Sequence, residues 1–201
     1  MPLWLQWQER HGALTISHHA YLPGEEEIAA QVTAENRLPH GGAAFHCGRV
    51  PHIHYAIDFT VAIFVVHEGK VLLVHHRKLD KWLPLGGHVE LDEEPEQAAL
   101  REAREESGFD VELIGERPPT TEPGTRALIA PRFLDIHRIN DVHEHIGMIY
   151  FARPRSGALA LAAAEHHDIG WFTSQDLDGL KPAMSAAVKW YCRKAMEEVA
   201  R

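Results

Sequence analysis

GHVELDEEPEQAALREAREESGF, residues 87–109, decides how this chain is read. Gly86 and Gly87 form a turn, and a short acidic loop follows. From Pro95 to Ser107 the residues favour a helix. Proline suits a first helical position, and Gly108 suits the left-handed residue that ends one. Along that helix Glu102, Glu105 and Glu106 are spaced by three and four. At ~100° per residue the three carboxylates share an arc of about 100°. Leu100 and Ala103 lie on a neighbouring flank and are expected to face a core. Like charges at this spacing repel by about a few tenths of a kcal/mol per pair. Arg101 and Arg104 relieve part of that repulsion. A hard divalent cation with oxygen ligands relieves more. A solvated acidic face is the competing reading of the carboxylates taken alone.

The spacing of the whole stretch goes further. Gly87, Glu93, Arg101-Glu102, Glu105-Glu106 and Gly108-Phe109 follow the pattern G-x5-E-x7-R-E-U-x-E-E-x-G-U, where U is bulky and apolar. This resembles the box of the Nudix hydrolase family. Two positions depart from it: Ala103 is smaller than the usual aliphatic, and Pro84 stands one residue before the place where the family often has it. The resemblance covers residues 55–200. It implies an α/β fold, a Nudix-like α/β/α sandwich with a mixed β-sheet. It also implies Mg²⁺ (or Mn²⁺) held by Glu102, Glu105, Glu106 and the Gly86 carbonyl. A glycine suits that last role because it lets backbone approach an ion closely. Gly87, Glu93 and Arg101 are expected to orient the loop against the helix. Glu105 or Glu144 is expected to act as general base, and Arg77 to contact substrate phosphate through its planar fork. Glu165 competes with Glu144 for the place of a further carboxylate, and Glu144 is preferred.

Composition sets the bounds. The chain has 201 residues, 45% hydrophobic and 24% charged, as in ordinary globular proteins. A formal net charge of −9 argues against a nucleic-acid backbone as main partner, so no nucleic acid is expected. A small nucleotide or nucleotide-sugar substrate remains compatible, because bound cations offset local repulsion. Two cysteines, Cys47 and Cys192, make no disulfide framework. No apolar run reaches membrane-spanning length, and MPLWLQWQER lacks a signal-peptide pattern. The expectation is a cytoplasmic protein with no membrane partner.

Residues 1–54 read as an N-terminal extension, packed on the main domain or serving as the arm of a homodimer. Within it 13–22 suggests a strand, 24–38 a helix and 39–54 a glycine-rich loop. His46, Cys47, His52 and His54 have zinc-ligand chemistry, but their spacing fits no zinc motif, and satisfied loop histidines are the better reading. The Nudix-like domain, residues 55–201, opens with two β-branched runs around His67-Glu68-Gly69-Lys70, a hairpin. A short strand is expected at 88–90. Strands follow at 109–115, 132–139, 145–153 and 169–172, with a short helix at 174–180 and a longer one from Pro182. Asn140 to Glu144 reads as a polar loop opposite the box helix. His137, His143 and His145 bracket it as possible substrate contacts. Trp82, Phe133 and Trp171 suit base stacking or, more simply, the core.

The function that follows is metal-dependent hydrolysis of a phosphoanhydride in a nucleoside diphosphate linked to another moiety. The alternative is a non-hydrolytic Nudix-fold nucleotide sensor, disfavoured because such domains usually lose box carboxylates and this chain keeps them. Isopentenyl diphosphate isomerase chemistry is disfavoured because Cys47 lies outside the matched region. No short signature for coenzyme A, NADH or diadenosine polyphosphate accompanies the box, and Pro123 is a weak match to the offset seen for ADP-ribose.

Overall fold

The computed structural model describes residues 56–120 and 122–199. The N-terminal extension, with its proposed strand, helix and His46/Cys47/His52/His54 group, lies outside the described residues.

The central strand is β1 (Ile57–His67). A tight turn leads into β2 (Lys70–His76), with Val66 opposite Val71 and His67 opposite Lys70. Glu68 and Gly69 both take positive φ, 48° and 73°. That is the two-residue turn whose twist matches paired antiparallel strands. The chain continues through β3 (Lys81–Leu83) and β4 (Leu85–His88) to helix α1 (Pro95–Ser107). Then come β5 (Phe109–Leu113), β6 (Phe133–Asn140), β7 (His143–Gly157) and β8 (His166–Phe172). A single turn, α2 (Asp176–Gly179), and α3 (Ala186–Val199) close the described chain.

The sheet is mixed. β1 runs parallel to β7, with Ile57 beside Glu144 and Val65 beside Ala152. Its other edge takes β4 antiparallel, Ala62 opposite Gly86. β5 and β6 pair antiparallel with β7, and β3 and β8 pair antiparallel with β2. Alternation along a strand sends successive side chains to opposite faces, and both faces here are apolar. Val61, Ile63 and Val65 of β1, with Leu85, Met148 and Tyr150, meet Ala98, Ala99 and Ala103 of α1. Phe64 and Val66, with Ile149 and Phe151, meet Leu177 of α2 and Cys192, Ala195 and Met196 of α3. Helices therefore cover both faces of one sheet, the expected α/β/α sandwich.

Several local expectations need correcting. Leu100 is 41% exposed, whereas Ala103, expected beside it in the core, is buried together with Ala98 and Ala99. Small residues let this helix lie close on the sheet. The polar loop expected at 140–144 is only the turn Asp141-Val142, tied by the Val142 amide donating to Asn140 Oδ1 at 2.9 Å. Glu144 thus belongs to β7, not to a loop. The strand expected at 88–90 comes earlier, as β4, so Gly86 and Gly87, expected as a turn, lie in a strand paired with Ala62 and Val61. The C-terminal helix starts at Ala186 rather than near Pro182.

Candidate active site

Both ends of α1 are fixed by its own sequence. Glu94 caps the N-terminus, accepting from the Glu96 amide at 2.6 Å, while Gln97 reaches back to the Glu94 amide at 3.1 Å. This capping box satisfies amides that the first turn leaves unpaired. Gly108 ends the helix at φ 76°, and its amide donates to the Arg104 carbonyl. The three box carboxylates are thereby held on a rigid element.

They do not share one environment. Glu106 is buried, and both of its oxygens have partners. Oε2 accepts from the Gly86 amide at 2.8 Å, and Oε1 lies 2.8 Å from Nε2 of His166, itself fully buried on β8. This joins the helix, the glycine pair of β4 and a strand distant in sequence. His166 Nδ1 has no hydrogen-bond partner among the described residues. Glu105 is the exposed member. Glu102 lies between these extremes. Burial raises its pKa above the usual glutamate value, and the charges of Glu106 and Glu105 add to the rise, against the pull of Arg101.

Arg101 links most of these groups. Its Nε and Nη2 clamp Glu93 in a fork at 3.0 and 2.7 Å. Nη1 donates to Glu102 at 2.8 Å and Glu105 at 3.0 Å, and Nη2 also reaches the His88 carbonyl at 3.1 Å. The hydrogen bonds from Arg101 hold Glu93 below the ordinary glutamate pKa. The acidic loop is closed further by the Glu90 amide donating to Glu93 at 2.9 Å.

The glycine pair is required by space. Gly86 has φ 150°, and a Cβ there would run into the Val61 carbonyl oxygen. A Cβ on Gly87 would run into the Glu102 carboxylate. Only glycine lets β4 lie against both β1 and α1.

The remaining expected residues fall in three places. Arg77 is exposed, and its guanidinium donates to the carbonyls of Ala163 and His166 at 2.9 and 3.1 Å, bracing the segment that carries Glu165. Glu165 is exposed, and one of its oxygens groups with ligand atoms of Glu106 and His166, all within 4.8 Å of one another. Glu144 sits near the start of β7, its amide donating to the Ala56 carbonyl at 2.9 Å. The structure therefore brings Glu165 beside a box carboxylate, Glu106, while Glu144 has the strand parity of Met148 and Tyr150, which face α1. Trp82 is core, packed edge-on to Phe172 with centroids 4.9 Å apart. His166 was not among the sequence candidates. Its neighbour Glu165 was the only pointer to it.

A second polar group lies at the same end of the sheet. Asp58 Oδ2 is 3.0 Å from His143 Nε2 and 3.4 Å from His88 Nε2. The His145 ring lies 4.9 Å from that of His88, 5.1 Å from His143 and 5.6 Å from His137. Burial, and then the neighbouring histidines, hold the His145 pKa below the ordinary value.

The donor set around the glycine pair fits a hard divalent cation. Glu106 of α1 and Glu165, just before β8, offer oxygens close together, and Glu102 on the same helix carries a charge that burial makes costly.

The site thus consists of a glycine pair on β4 and a carboxylate-bearing helix, set on a mixed sheet covered by helices on both faces. The family model described as NUDIX domain matches residues 57–193, and the chain belongs to the Nudix hydrolase family. Among solved structures, a NUDIX-family hydrolase from Clostridium perfringens is 30% identical with a TM-score of 0.62, the match covering 71% of this chain and 97% of that one. A UDP-X diphosphatase, 18% identical with a TM-score of 0.52, matches in fold over 89% of this chain and 74% of its own. The NAD-capped RNA hydrolase NudC of Vibrio atlanticus (strain LGP32) is 34% identical over 115 residues, 55% of this chain and 43% of the relative. The NudC of Vibrio vulnificus (strain CMCP6) is 27% identical over 160 residues, 78% of this chain and 54% of the relative. The chain thus spans about half the length of the curated relatives it matches. Among the described residues no helix is long and apolar enough to cross a membrane.

Proposed function

We propose that the protein is a pyrophosphohydrolase that cleaves a phosphoanhydride in a nucleoside diphosphate linked to another moiety. The observation that carries this is the meeting of Glu106 from α1 with Glu165 from the segment entering β8, beside Gly86 of β4, with Glu102 and Glu105 on the same helix. Mg²⁺ or Mn²⁺ on these oxygens, with the Gly86 carbonyl as a further ligand, supplies charge neutralisation at the phosphates and a more acidic water. The chain's own residues do the rest. Gly86 N–H and His166 fix the Glu106 carboxylate in one orientation. Arg101 fixes Glu102 and, through Glu93, the acidic loop. Glu105, exposed and on the open side of the helix, takes the proton of the attacking water as general base. Glu165 replaces Glu144 as the further carboxylate. Arg77 orients the 163–166 segment, and its remaining N–H groups are available to phosphate.

The net charge favours a small substrate over a long polyanion. Two relatives are nevertheless named for NAD-capped RNA, so that substrate belongs in the test. The full chain should be assayed with Mg²⁺ and with Mn²⁺ on ADP-ribose, NADH, a UDP-sugar, an oxidised nucleoside triphosphate and an NAD-capped oligonucleotide, with products resolved by chromatography. Cleavage between phosphorus atoms in at least one compound, abolished by EDTA, is expected. Tight binding of one of them without cleavage would instead make the protein a sensor.

A further inference from the structure

We propose that Asp58, His143 and His145, with His88 as a fourth ligand, form a second metal site that takes Zn²⁺. The site is separate in chemistry and position from the carboxylates of α1. On β1, Val61, Ile63 and Val65 face α1, so Asp58 shares the opposite face with Phe64 and Val66. On β7, Met148 and Tyr150 face α1, so His143 and His145 lie with Ile149 and Phe151 on the far side. His88 is likewise opposite to Gly87, whose missing Cβ points at Glu102. Register completes the arrangement: Asp58 pairs with His145 across the parallel ladder, and Thr60 pairs with His88 across the antiparallel one. Three adjacent strands thus deliver four donors to one patch.

The chemistry of the donors selects the ion. One ligand atom each from Asp58, His143 and His145 lie within 4.8 Å of one another. Donors around tetrahedral zinc, at ~2.0–2.1 Å from the metal, stand about 3.4 Å apart, so modest side-chain rotation closes the set. Imidazole with a single carboxylate suits a borderline ion such as Zn²⁺, whereas Mg²⁺ prefers oxygen. His137 flanks the set, and its Nδ1 lies 3.1 Å from Asp135, the carboxylate that accepts from Tyr191 of α3 at 3.1 Å. An ion at this site ties β4, the strand that carries Gly86 and Gly87, to β1 and β7.

The test is zinc binding by the full chain, stripped with chelator and titrated with Zn²⁺ in excess Mg²⁺. Stoichiometry is read by metal analysis and affinity by competition with a chromophoric chelator. The Asp58→Asn/His145→Gln double variant should lose one equivalent, with affinity for it falling by at least about 100-fold, the upper end of what loss of a supporting contact alone produces. Replacing His46, Cys47, His52 and His54 together should leave that equivalent in place. Unchanged zinc stoichiometry in a double variant that melts like the wild type in EDTA overturns the proposal. So does loss of the equivalent only in the N-terminal variant. If the double variant does not fold, His143→Gln is read by the same two criteria.

Discussion

Arg101→Ala removes the side chain that touches four other groups of the site, and the cost can be worked from its partners. Two of its hydrogen bonds go to Glu93 and one to Glu102, whose side chains are only 12% and 13% exposed. Its bond to Glu105 reaches a side chain 59% exposed and adds little. Removing one member of a buried ion pair costs about 3–5 kcal/mol. Arg101 is itself 30% exposed, so solvent screening lowers the expected cost to about 2–4 kcal/mol. At roughly 2–4 °C per kcal/mol for a chain of this size, the melting temperature should fall by roughly 5–15 °C in EDTA at pH 7.5. The pH dependence has a definite sign. Glu93 has a depressed pKa, so its pairing with Arg101 stabilises above the unfolded glutamate value and is lost as pH falls through the folded one. Glu102 has a raised pKa, which Ala at position 101 raises further, so the variant regains stability as Glu102 takes up a proton. Both effects narrow the gap between the two proteins on acidification. Arg101→Lys keeps the charge without the fork and should recover only part of the loss. A melting temperature within about 2 °C of wild type at pH 7.5, or a gap that widens in acid, would refute the role given to Arg101.

Gly86→Ala should destabilise the fold or prevent its accumulation, because neither φ 150° nor the Val61 carbonyl leaves room for a Cβ; soluble protein with a wild-type melt would remove the constraint. Glu165→Gln should lower kcat by at least ~10²-fold while leaving the melt unchanged, and Glu144→Gln should be milder; steady-state kinetics in the reverse order would give the role to Glu144. Cys192 is fully buried, and burial pushes its thiol up to about 12, so in a Cys47→Ser variant a thiol reagent at pH 8 should titrate nothing until denaturant is added.

The chemistry that was legible beforehand is local chemistry. The helix bounds at Pro95 and Ser107 follow from a proline and a glycine, and the β1–β2 turn follows from Glu68-Gly69 between apolar runs. What escaped is what depends on chain segments meeting. Nothing near residue 106 announces His166, sixty residues on, because their pairing is created by β8 adding to β2. Of the Asp58 cluster, His143 and His145 stand out in the sequence, but Asp58 and His88 join them only through the pairing of β1 with β7 and β4. Glu144 was misplaced because a run of polar residues, Asn140 to Glu144, reads as a loop whether the turn is two residues or five. On α1 Ala103 lies in the core as expected, with Ala98 and Ala99 beside it, while Leu100 falls outside that face.

If the α1 carboxylates serve a divalent cation in phosphoanhydride hydrolysis, turnover depends on that ion and on Glu106. The most direct measurement is the Mg²⁺ dependence of turnover on the best substrate of the panel, wild type against Glu106→Gln, each shown by its melt to be folded. The account predicts saturable Mg²⁺-dependent turnover in the wild type and a loss of at least ~10²-fold in the variant that saturating Mg²⁺ does not restore. Turnover in Glu106→Gln within a few-fold of wild type, or wild-type turnover that persists in EDTA, would contradict it.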